Sequence, residues 1–285
     1  MGLPEYPESR EILIEDQKLF EEKFSSMKTL ASDYKFTNLF LWGKARGYSA
    51  SMLDGHILVF YEKEGKKFFF QPMGPEAWKV IKSVLDKEPE ATFVRVTEEG
   101  VKNLEGLRVE EDRDNFDYVY EREKLVKLDG AKFYPKRSFA EKAMKYNPEI
   151  RETCEEGCLE LQDEWCRERE CKLKPELNEE NTAVYTLFME KKDLWVSFVS
   201  IVIDGKVAAF AAGEELNKDT FVVWFEKGNT KYKGIYQLIN REFAKRIPEK
   251  YKYINREQDL GIEGLRKAKL SYYPACMVKK YTVRK

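Results

Sequence analysis

The chain has 285 residues, enough for two domains of about 140 residues each. Its 50 Lys and Arg residues balance 51 Asp and Glu residues, so the net charge of −1 excludes a general electrostatic attraction to nucleic acid or to anionic membranes. Hydrophobic residues make up 42% and aromatic residues 14% of the chain, which excludes a disordered protein and indicates sheet-rich globular units.

The first residues, MGLPEYPESREILIEDQ, are acidic, whereas a signal peptide begins with basic residues and continues with apolar ones. The sequence also lacks a run of about 18 apolar residues, the length that a transmembrane helix requires. We therefore expect no transmembrane segment and a soluble, cytoplasmic protein.

The first half of the chain predicts an ordered series of elements. A helix over residues 16–27 precedes three strands within residues 48–74, and an Asp54-Gly55 turn joins the first two strands. The series continues with a helix at 75–85, a strand at 91–96, a short helix at 97–104 and a last strand at 116–122.

His56 is the only histidine, and it flanks this turn, where we expect an exposed position without a catalytic role. Ser-His-Asp and Cys-His catalysis and multi-histidine metal sites would all depend on this one residue. The sequence therefore disfavours hydrolases and predicts no metal. Any general base must be a carboxylate, a lysine, a tyrosine or the substrate itself.

Residues 127–149 are basic and are interrupted by Gly130, Pro135 and Pro148, which predicts a linker between two domains. Within this segment, Pro135-Lys136-Arg137 is the strongest cationic cluster of the first half. Two interpretations remain open for it, a solvated linker and an anion-binding cluster.

Four of the five cysteines lie close together: Cys154, Cys158, Cys166 and Cys171. Their gaps lack the C-x-x-C pairs of zinc sites. Thr153 and Glu156 form a capping box that opens an amphipathic helix over residues 155–170. We therefore predict that these thiols are small apolar residues in a reducing compartment.

The second half repeats the series of the first. Residues 195–228 again contain three strands, with an Asp204-Gly205 turn 150 positions after Asp54-Gly55. A helix at 233–247, a strand at 251–254, a short helix at 261–268 and a last strand at 276–283 follow. This order predicts an α+β protein with mixed sheets flanked by helices, and it resembles a tandem duplication of the GCN5-related (GNAT) acyltransferase fold. We place the two domains at residues 1–145 and 146–285.

Residues 228–234, GNTKYKG, precede a helix with core positions at Ile235, Leu238, Ile239 and Phe243. In the fold that the chain resembles, backbone amides of such a loop hold the phosphates of the donor. Lys233 and Gly234 are therefore candidate substrate-binding residues. Of the acetyl-CoA pattern R/Q-x-x-G-x-G/A only Gly234 is kept, so a plain lysine-rich surface loop is an equal alternative.

Near the C-terminus, Asp259 can cap a short helix, and Pro274 ends the segment that follows. At about 100° per residue, Lys269 lies above Ile262 and between Leu265 and Leu270, so a cation points where the apolar face should be. We predict that Lys269 lies inward.

An inward lysine must pair with a carboxylate or meet a polar cavity. Pairing with Asp259 or Glu257 is one interpretation, and contact with a substrate phosphate or a carbonyl oxyanion is the other. Further candidates for substrate binding are Arg256, Arg266 and Tyr272. In a transfer reaction, Glu257 or Asp259 could accept the proton.

Three segments, residues 32–48, 112–137 and 255–274, resemble bacterial proteins related to the C-terminal domain of phosphatidylglycerol lysyltransferase. That family ends in a pattern of the type L-R-x-F-K-x-K-F-x-P. Here Leu265, Arg266, Lys269 and Pro274 fit and Tyr272 keeps the aromatic, whereas Ala268 and Ser271 depart. The family is similar in fold to Fem-type peptidoglycan aminoacyltransferases.

The resemblance implies an acyl- or aminoacyltransferase, with Lys269, Asp259 and Glu257 as catalytic candidates. Its donor would be an aminoacyl-tRNA or an acyl-CoA, and its acceptor a small molecule or a lipid-like amine or hydroxyl. The alternatives are a catalytically inactive small-ligand-binding protein and a structural or interaction module. The sequence leaves the donor, the acceptor and the oligomeric state open.

Overall fold

The computed structural model describes residues 2–25, 27, 29–153 and 156–285. Within these residues the helices are α1 (Gln17–Ser25), α2 (Phe36–Arg46), α3 (Ala77–Lys87), α4 (Arg122–Lys127), α5 (Tyr134–Met144), α6 (Glu156–Arg169), α7 (Pro175–Glu190), α8 (Ile235–Arg246) and α9 (Glu263–Leu270). The predicted α+β class is confirmed.

The strands of the first half are β1 (Arg10–Glu11), β2 (Ser49–Leu53), β3 (His56–Lys63), β4 (Lys66–Phe70), β5 (Thr92–Thr97), β6 (Arg108–Glu111) and β7 (Asp117–Glu121). Those of the second half are β8 (Glu149–Arg151), β9 (Ser197–Ile203), β10 (Lys206–Asn217), β11 (Thr220–Gly228), β12 (Tyr253–Asn255), β13 (Cys276–Val278) and β14 (Lys280–Arg284). Both Asp-Gly turns are in place, with positive φ at Asp54 and Asp204.

The first sheet has the order β1-β2-β3-β4-β5-β14-β6. Its neighbouring strands are antiparallel except for β4 and β5, which run parallel and are connected by helix α3. The core of this sheet packs Phe60, Phe69 and Phe93 of the strands against Ile81 and Leu85 of α3.

The second sheet has the order β8-β9-β10-β11-β12-β7-β13. Here β11 and β12 are a parallel pair, and α8 is the helix that connects them. The predicted core positions of α8 are confirmed, because Ile235, Leu238, Ile239 and Phe243 are all buried. Helices α4 and α5 contact α8, and α6 contacts β10 and β11.

The two halves exchange a strand. The sixth position of the first sheet is filled by β14 from the end of the chain, and the sixth position of the second sheet is filled by β7 from the first half. The compact units are therefore residues 1–117 with 258–263 and 278–285, and residues 118–257 with 264–277.

These units do not coincide with the predicted domains 1–145 and 146–285. The sequence predicted β7 as the last strand of the first half, but β7 pairs with β12 of the second sheet. The predicted final strand at 276–283 is divided between β13 and β14, which lie in different sheets. An alternating strand pattern specifies which face is buried but not which edge the strand joins.

Several local predictions are also corrected. The predicted short helix at 97–104 is instead a series of turns over residues 98–103. Residues 127–149 are not an extended linker, because α5 occupies much of the segment and packs on α8. His56 is buried rather than exposed, with Nδ1 2.9 Å from the Asp54 carbonyl oxygen and Nε2 2.6 Å from that of Pro75.

The cysteine prediction is wrong for Cys166 and Cys171, because these two residues form a disulfide across the end of α6. Cys158 is a disulfide cysteine as well. Cys154 and the Thr153–Glu156 capping box depend on positions outside the described residues. The sequence missed the bridge because Cys171 comes five positions after Cys166, and only the turn after α6 brings their Cα atoms to 5.1 Å.

Candidate functional site

The candidate site lies in the second unit, where two parallel strands diverge. β11 and β12 pair only from Thr220 to Val222 and from Tyr253 to Asn255. β11 then continues to Gly228, whereas β12 ends. In open sheets with parallel strands, ligands bind in the crevice outside the carboxyl ends of the strands. We therefore expect the functional side chains of this unit near the point where the two strands diverge.

A largely buried ion pair spans this divergence. The guanidinium of Arg256, directly after β12, donates to the carboxylate of Glu226 on β11. Glu226 also accepts a hydrogen bond of 2.9 Å from Asn240 of α8. Burial by itself lowers the pKa of Arg256, but the charge of Glu226, the two tyrosines Tyr120 and Tyr272, and the hydrogen bond to Glu226 together raise it. Arg256 is therefore a permanent cation at this position.

Two tyrosines flank the arginine. The guanidinium carbon of Arg256 lies 5.7 Å from the ring centre of Tyr120 and 5.0 Å from that of Tyr272. The two rings meet edge to face at 6.4 Å. Burial raises the pKa of Tyr272 to about 12, so its hydroxyl is neutral at physiological pH.

A second cation comes from the segment that the sequence interpreted as a linker. Lys136, in the first turn of α5, places its Nζ 4.5 Å from the ring centre of Tyr272. Burial lowers the pKa of Lys136, and the nearby charge of Arg256 lowers it further. Lys136 is therefore half-buried against Tyr272 rather than solvated, and anion binding by Pro135-Lys136-Arg137 stays a prediction.

Lys269 is the third cation. Its Nζ donates to the backbone carbonyl of Arg256 and lies 5.8 Å from the ring centre of Tyr118. Tyr120 donates a hydrogen bond of 2.8 Å to the backbone carbonyl of Lys269, which fixes this turn of α9 beside the arginine. The side chain is half-buried.

The predicted orientation of α9 is confirmed for Lys269 but not for its apolar neighbours. Ile262 is 54% exposed, Leu270 is 45% exposed, and none of the helical residues is buried. The inner side of α9 is therefore its polar side, because the strands present Tyr118, Tyr120 and Arg256 to it.

The two predicted carboxylates fall in different units, Glu257 in the second and Asp259 in the first. Asp259 belongs to the first unit, where its fully buried carboxylate accepts from Arg113 at 3.2 Å and from the Gly261 amide at 2.9 Å. Glu257 has a positive φ of 53°, and its backbone carbonyl accepts from the Tyr118 amide. Arg266 is half-buried on α9. The structure therefore joins Arg256, Lys269 and Tyr272, and it assigns Asp259 to a different unit.

Several amides of the loop before α8 are already used within the protein. Those of Asn229, Lys231 and Tyr232 donate to internal acceptors, and so does that of Ile235, the first residue of α8. Lys231 pairs with Glu164 of α6 at 2.7 Å. These bonds reduce the number of donors for a phosphate group.

The two substrate-binding candidates of this loop lie beside α5 rather than beside Arg256. Gly234 has φ of +92° and packs so closely that a Cβ would collide with the carbonyl oxygen of Phe139. Lys233 is exposed, with its Nζ 5.9 Å from the ring centre of Phe139.

Sequence reasoning missed Tyr120, Glu226 and Asn240, and it named Lys136 only as part of a cationic cluster. Glu226 and Lys227 follow an apolar run in β11, and charged residues at the end of a buried strand are a signal that could have identified Glu226. No local pattern identifies Tyr120 as a site residue, because the sequence placed its strand, β7, in the first half rather than in the second sheet.

The family model described as "Phosphatidylglycerol lysyltransferase, C-terminal" matches residues 24–284. Among curated proteins, none matches the sequence significantly.

Solved structures resemble the chain over nearly its full length. A conserved protein of unknown function from Bacteroides thetaiotaomicron is 30% identical, with a TM-score of 0.87 over 97% of this chain and 98% of that one. L-PGS from Bacillus licheniformis is 13% identical, with a TM-score of 0.64 over 100% of this chain and 94% of that one. FemX is 8% identical, with a TM-score of 0.57 over 96% of each chain.

These likenesses confirm the predicted α+β fold with two acyltransferase-type (GNAT) units. No helix in the described part of the chain is both long and apolar enough to cross a membrane.

Proposed function

Because this chain belongs to the phosphatidylglycerol lysyltransferase C-terminal family, we propose that it transfers an aminoacyl group from an ester donor to an amine or hydroxyl acceptor. The reaction takes place where β11 and β12 diverge. The observation that carries the proposal is the convergence of Lys136 and Arg256 on the ring of Tyr272, with the Lys269 ammonium bonded to the backbone carbonyl of Arg256.

Aminoacyl transfer develops negative charge on a carbonyl oxygen. The acceptor forms a bond to the ester carbon, the carbonyl oxygen becomes an oxyanion, and the bond to the leaving oxygen breaks. Lys136 and Lys269 stabilise this oxyanion. Arg256 keeps its pair with Glu226 and adds positive potential without leaving its place.

One proton must move from the acceptor to the leaving oxygen. Because its pKa is lowered, the Lys136 amine exchanges a proton more readily than an exposed lysine, so it serves as the shuttle. Glu226 is a poor base here, because Arg256 and Asn240 already use its oxygens. Asp259 lies in the other unit and is left with a structural role, whereas a role of Glu257 as the proton acceptor stays a prediction.

The loop before α8 supports an ester donor over an acyl-CoA. Three of its amides and that of Ile235 at the start of α8 are already bonded within the protein, and Glu164 places a negative charge beside Lys231. A pyrophosphate needs free amides at such a loop. An aminoacyl-tRNA does not require this loop, so it is the donor class that we propose.

The name of the family indicates the first substrates to test, a lysyl group and phosphatidylglycerol. The purified chain is incubated with tRNA carrying radiolabelled lysine and with phosphatidylglycerol vesicles, and then with a panel of other aminoacyl-tRNAs. We expect transfer of label, and we expect Lys136→Gln and Lys269→Gln each to lower the rate by about 10²-fold, the effect of losing one oxyanion donor.

Lys132→Gln is the matched control, because Lys132 lies on the ring of Tyr273 at 4.6 Å rather than on that of Tyr272. Its rate should stay near that of the unchanged protein. If no aminoacyl-tRNA is a donor and none shifts the melting temperature, the chain is a ligand-binding or structural protein instead. Transfer from an acyl-CoA would contradict the donor class.

A further inference from the structure

A hollow of about 260 Å³ lies in the second unit at the C-terminal end of α8. Its apolar lining comes from Val199 of β9, Phe221 of β11, and Phe243 and Ile247 at the end of α8. Small-molecule sites are concave and mostly apolar, with a few polar groups that fix orientation. The volume is slightly below the usual range of about 300–1,000 Å³, which indicates a small ligand.

The hollow opens beside the start of β9. β8 pairs with β9 only as far as Ser200, and among the described strands none pairs with Ser197 on that side. Successive side chains of a strand alternate between faces, so Ser197 shares the face of Val199. Ser197 is exposed and contributes to the lining.

Arg246 supplies the polar end of the hollow. Its Nη1 donates to the backbone and side chain of Glu242, each at 3.1 Å. Its Nε is buried and has no hydrogen-bond acceptor among the described residues. The carboxylate of Glu152 lies 3.3 Å from this nitrogen, but its side chain is 74% exposed.

The charges around the hollow favour an anion. Glu242 is shared by three cations: Arg241, Lys245 and Arg246. Burial by itself raises the pKa of Glu242, but these cations outweigh burial and lower it, so Glu242 is ionised at neutral pH. Of these cations Arg246 is the one that lines the hollow, and Glu152 is the carboxylate of the lining. A ligand carboxylate that displaces the exposed Glu152 therefore meets the Arg246 guanidinium and a donor that needs an acceptor.

We propose that this hollow binds a small carboxylate with an aliphatic body. The carboxylate displaces the exposed Glu152 and accepts from Nε of Arg246, while the aliphatic chain lies against Val199, Phe221 and Phe243. One water molecule occupies about 30 Å³ of the liquid, so a hollow of about 260 Å³ has room for about eight or nine heavy atoms. Hexanoate is a suitable probe.

This site is separate from the proposed transfer reaction. The ion pair of Arg256 contacts α8 at Asn240, whereas the hollow is formed by Phe243, Arg246 and Ile247 at the end of the helix. The two proposals therefore stand or fall independently.

The test measures binding of hexanoate, 1-hexanol and hexylammonium to the full chain by calorimetry. We expect hexanoate to bind more tightly than 1-hexanol and hexylammonium to bind least. Arg246→Gln should weaken hexanoate about tenfold, as expected for one charge-assisted hydrogen bond, and should leave 1-hexanol unchanged.

Two further variants test whether hexanoate binds in the hollow itself. Lys245→Gln is the matched control, because Lys245 also pairs with Glu242 but does not line the hollow, so hexanoate binding should persist. Ser197→Phe places a ring in the hollow from an exposed position and should abolish binding of all three probes. The proposal is wrong if hexanoate does not bind the unchanged protein. It is also wrong if the Arg246→Gln and Ser197→Phe proteins bind hexanoate as tightly as the unchanged protein does.

Discussion

Lys280, at the start of β14, is a fully buried cation of the first unit. Its Nζ lies 2.6 Å from Asp117 and 2.5 Å from Asp33. Asp117 also accepts from the Ser32 amide at 2.7 Å, and Asp33 lies 3.3 Å from Arg95. Burial by itself lowers the pKa of Lys280, but the two aspartates outweigh burial and raise it.

Replacing Lys280 by Met should strongly destabilise the first unit. The change removes the cation that Asp117 and Asp33 share and leaves Asp33 with Arg95, and breaking a buried pair in this way costs about 3–5 kcal/mol. Urea unfolding followed by circular dichroism measures the loss.

Lys279→Met is the matched control for that change, because Lys279 pairs with Glu111 at the exposed surface. Such a pair contributes little, so the unfolding midpoint should hardly move. The double change Lys280→Met with Asp117→Asn should recover part of the loss. A Lys280→Met protein as stable as the control would show that the pair is not needed for the fold.

At the scale of elements, the two units differ in the side chains that bridge their parallel strands beyond the last paired residues. Beyond β4 and β5, Tyr34 donates to the Arg95 carbonyl at 2.7 Å and accepts from the Gln71 amide at 3.2 Å. The side chain of Gln71 accepts from both the amide and the hydroxyl of Thr97 at 2.9 Å. Neutral groups bridge the gap of the first unit, whereas Arg256 and Glu226 bridge that of the second. This contrast supports a reaction in the second unit.

The packing of α5 on α8 can be tested at Gly234. Its φ of +92° disfavours any side chain, and a Cβ would collide with the Phe139 carbonyl. Gly234→Ala should therefore destabilise the second unit by more than about 1 kcal/mol, since both strain and a clash are added.

Gly264→Ala gives the opposite expectation. Gly264 lies in α9 with open space around the added methyl group, so Ala should stabilise the helix by about 0.5–1 kcal/mol. Thermal unfolding should show a lower melting temperature for Gly234→Ala, and a higher one for Gly264→Ala, than for the unchanged protein. Equal melting temperatures would mean that α5 does not hold the start of α8.

At the scale of the whole molecule, the exchange of β7 and β14 makes both ends of the chain necessary for the first sheet. β14 pairs with β5 on one side and with β6 on the other. A chain that stops after Val278 lacks this strand and the buried Lys280.

We expect this truncation to unfold the first unit while the second sheet keeps its strands. Hydrogen exchange should become fast in β5 and β6 and remain slow in β9, β10 and β11. Removing Lys285 alone is the control, because this exposed residue follows β14. Slow exchange in β5 and β6 of the truncated chain would contradict the role given to β14.

Much of the local structure could be predicted from the sequence. The Asp-Gly turns, the core face of α8 and the repeat of the series all follow from nearby residues, and so does the inward direction of Lys269. The partners of Lys269 could not be predicted in this way. Lys136 and Tyr120 reach Arg256 and Tyr272 only through packing of α5 and pairing of β7.

The sequence by itself determined most of the strands and helices and the duplication, because turn residues and apolar periodicity act over a few neighbouring positions. The tertiary structure decided which sheet received β7 and β14, and which side chains surround Arg256. Those choices depend on contacts between residues far apart in the chain, such as Lys280 with Asp117, and no local pattern encodes them.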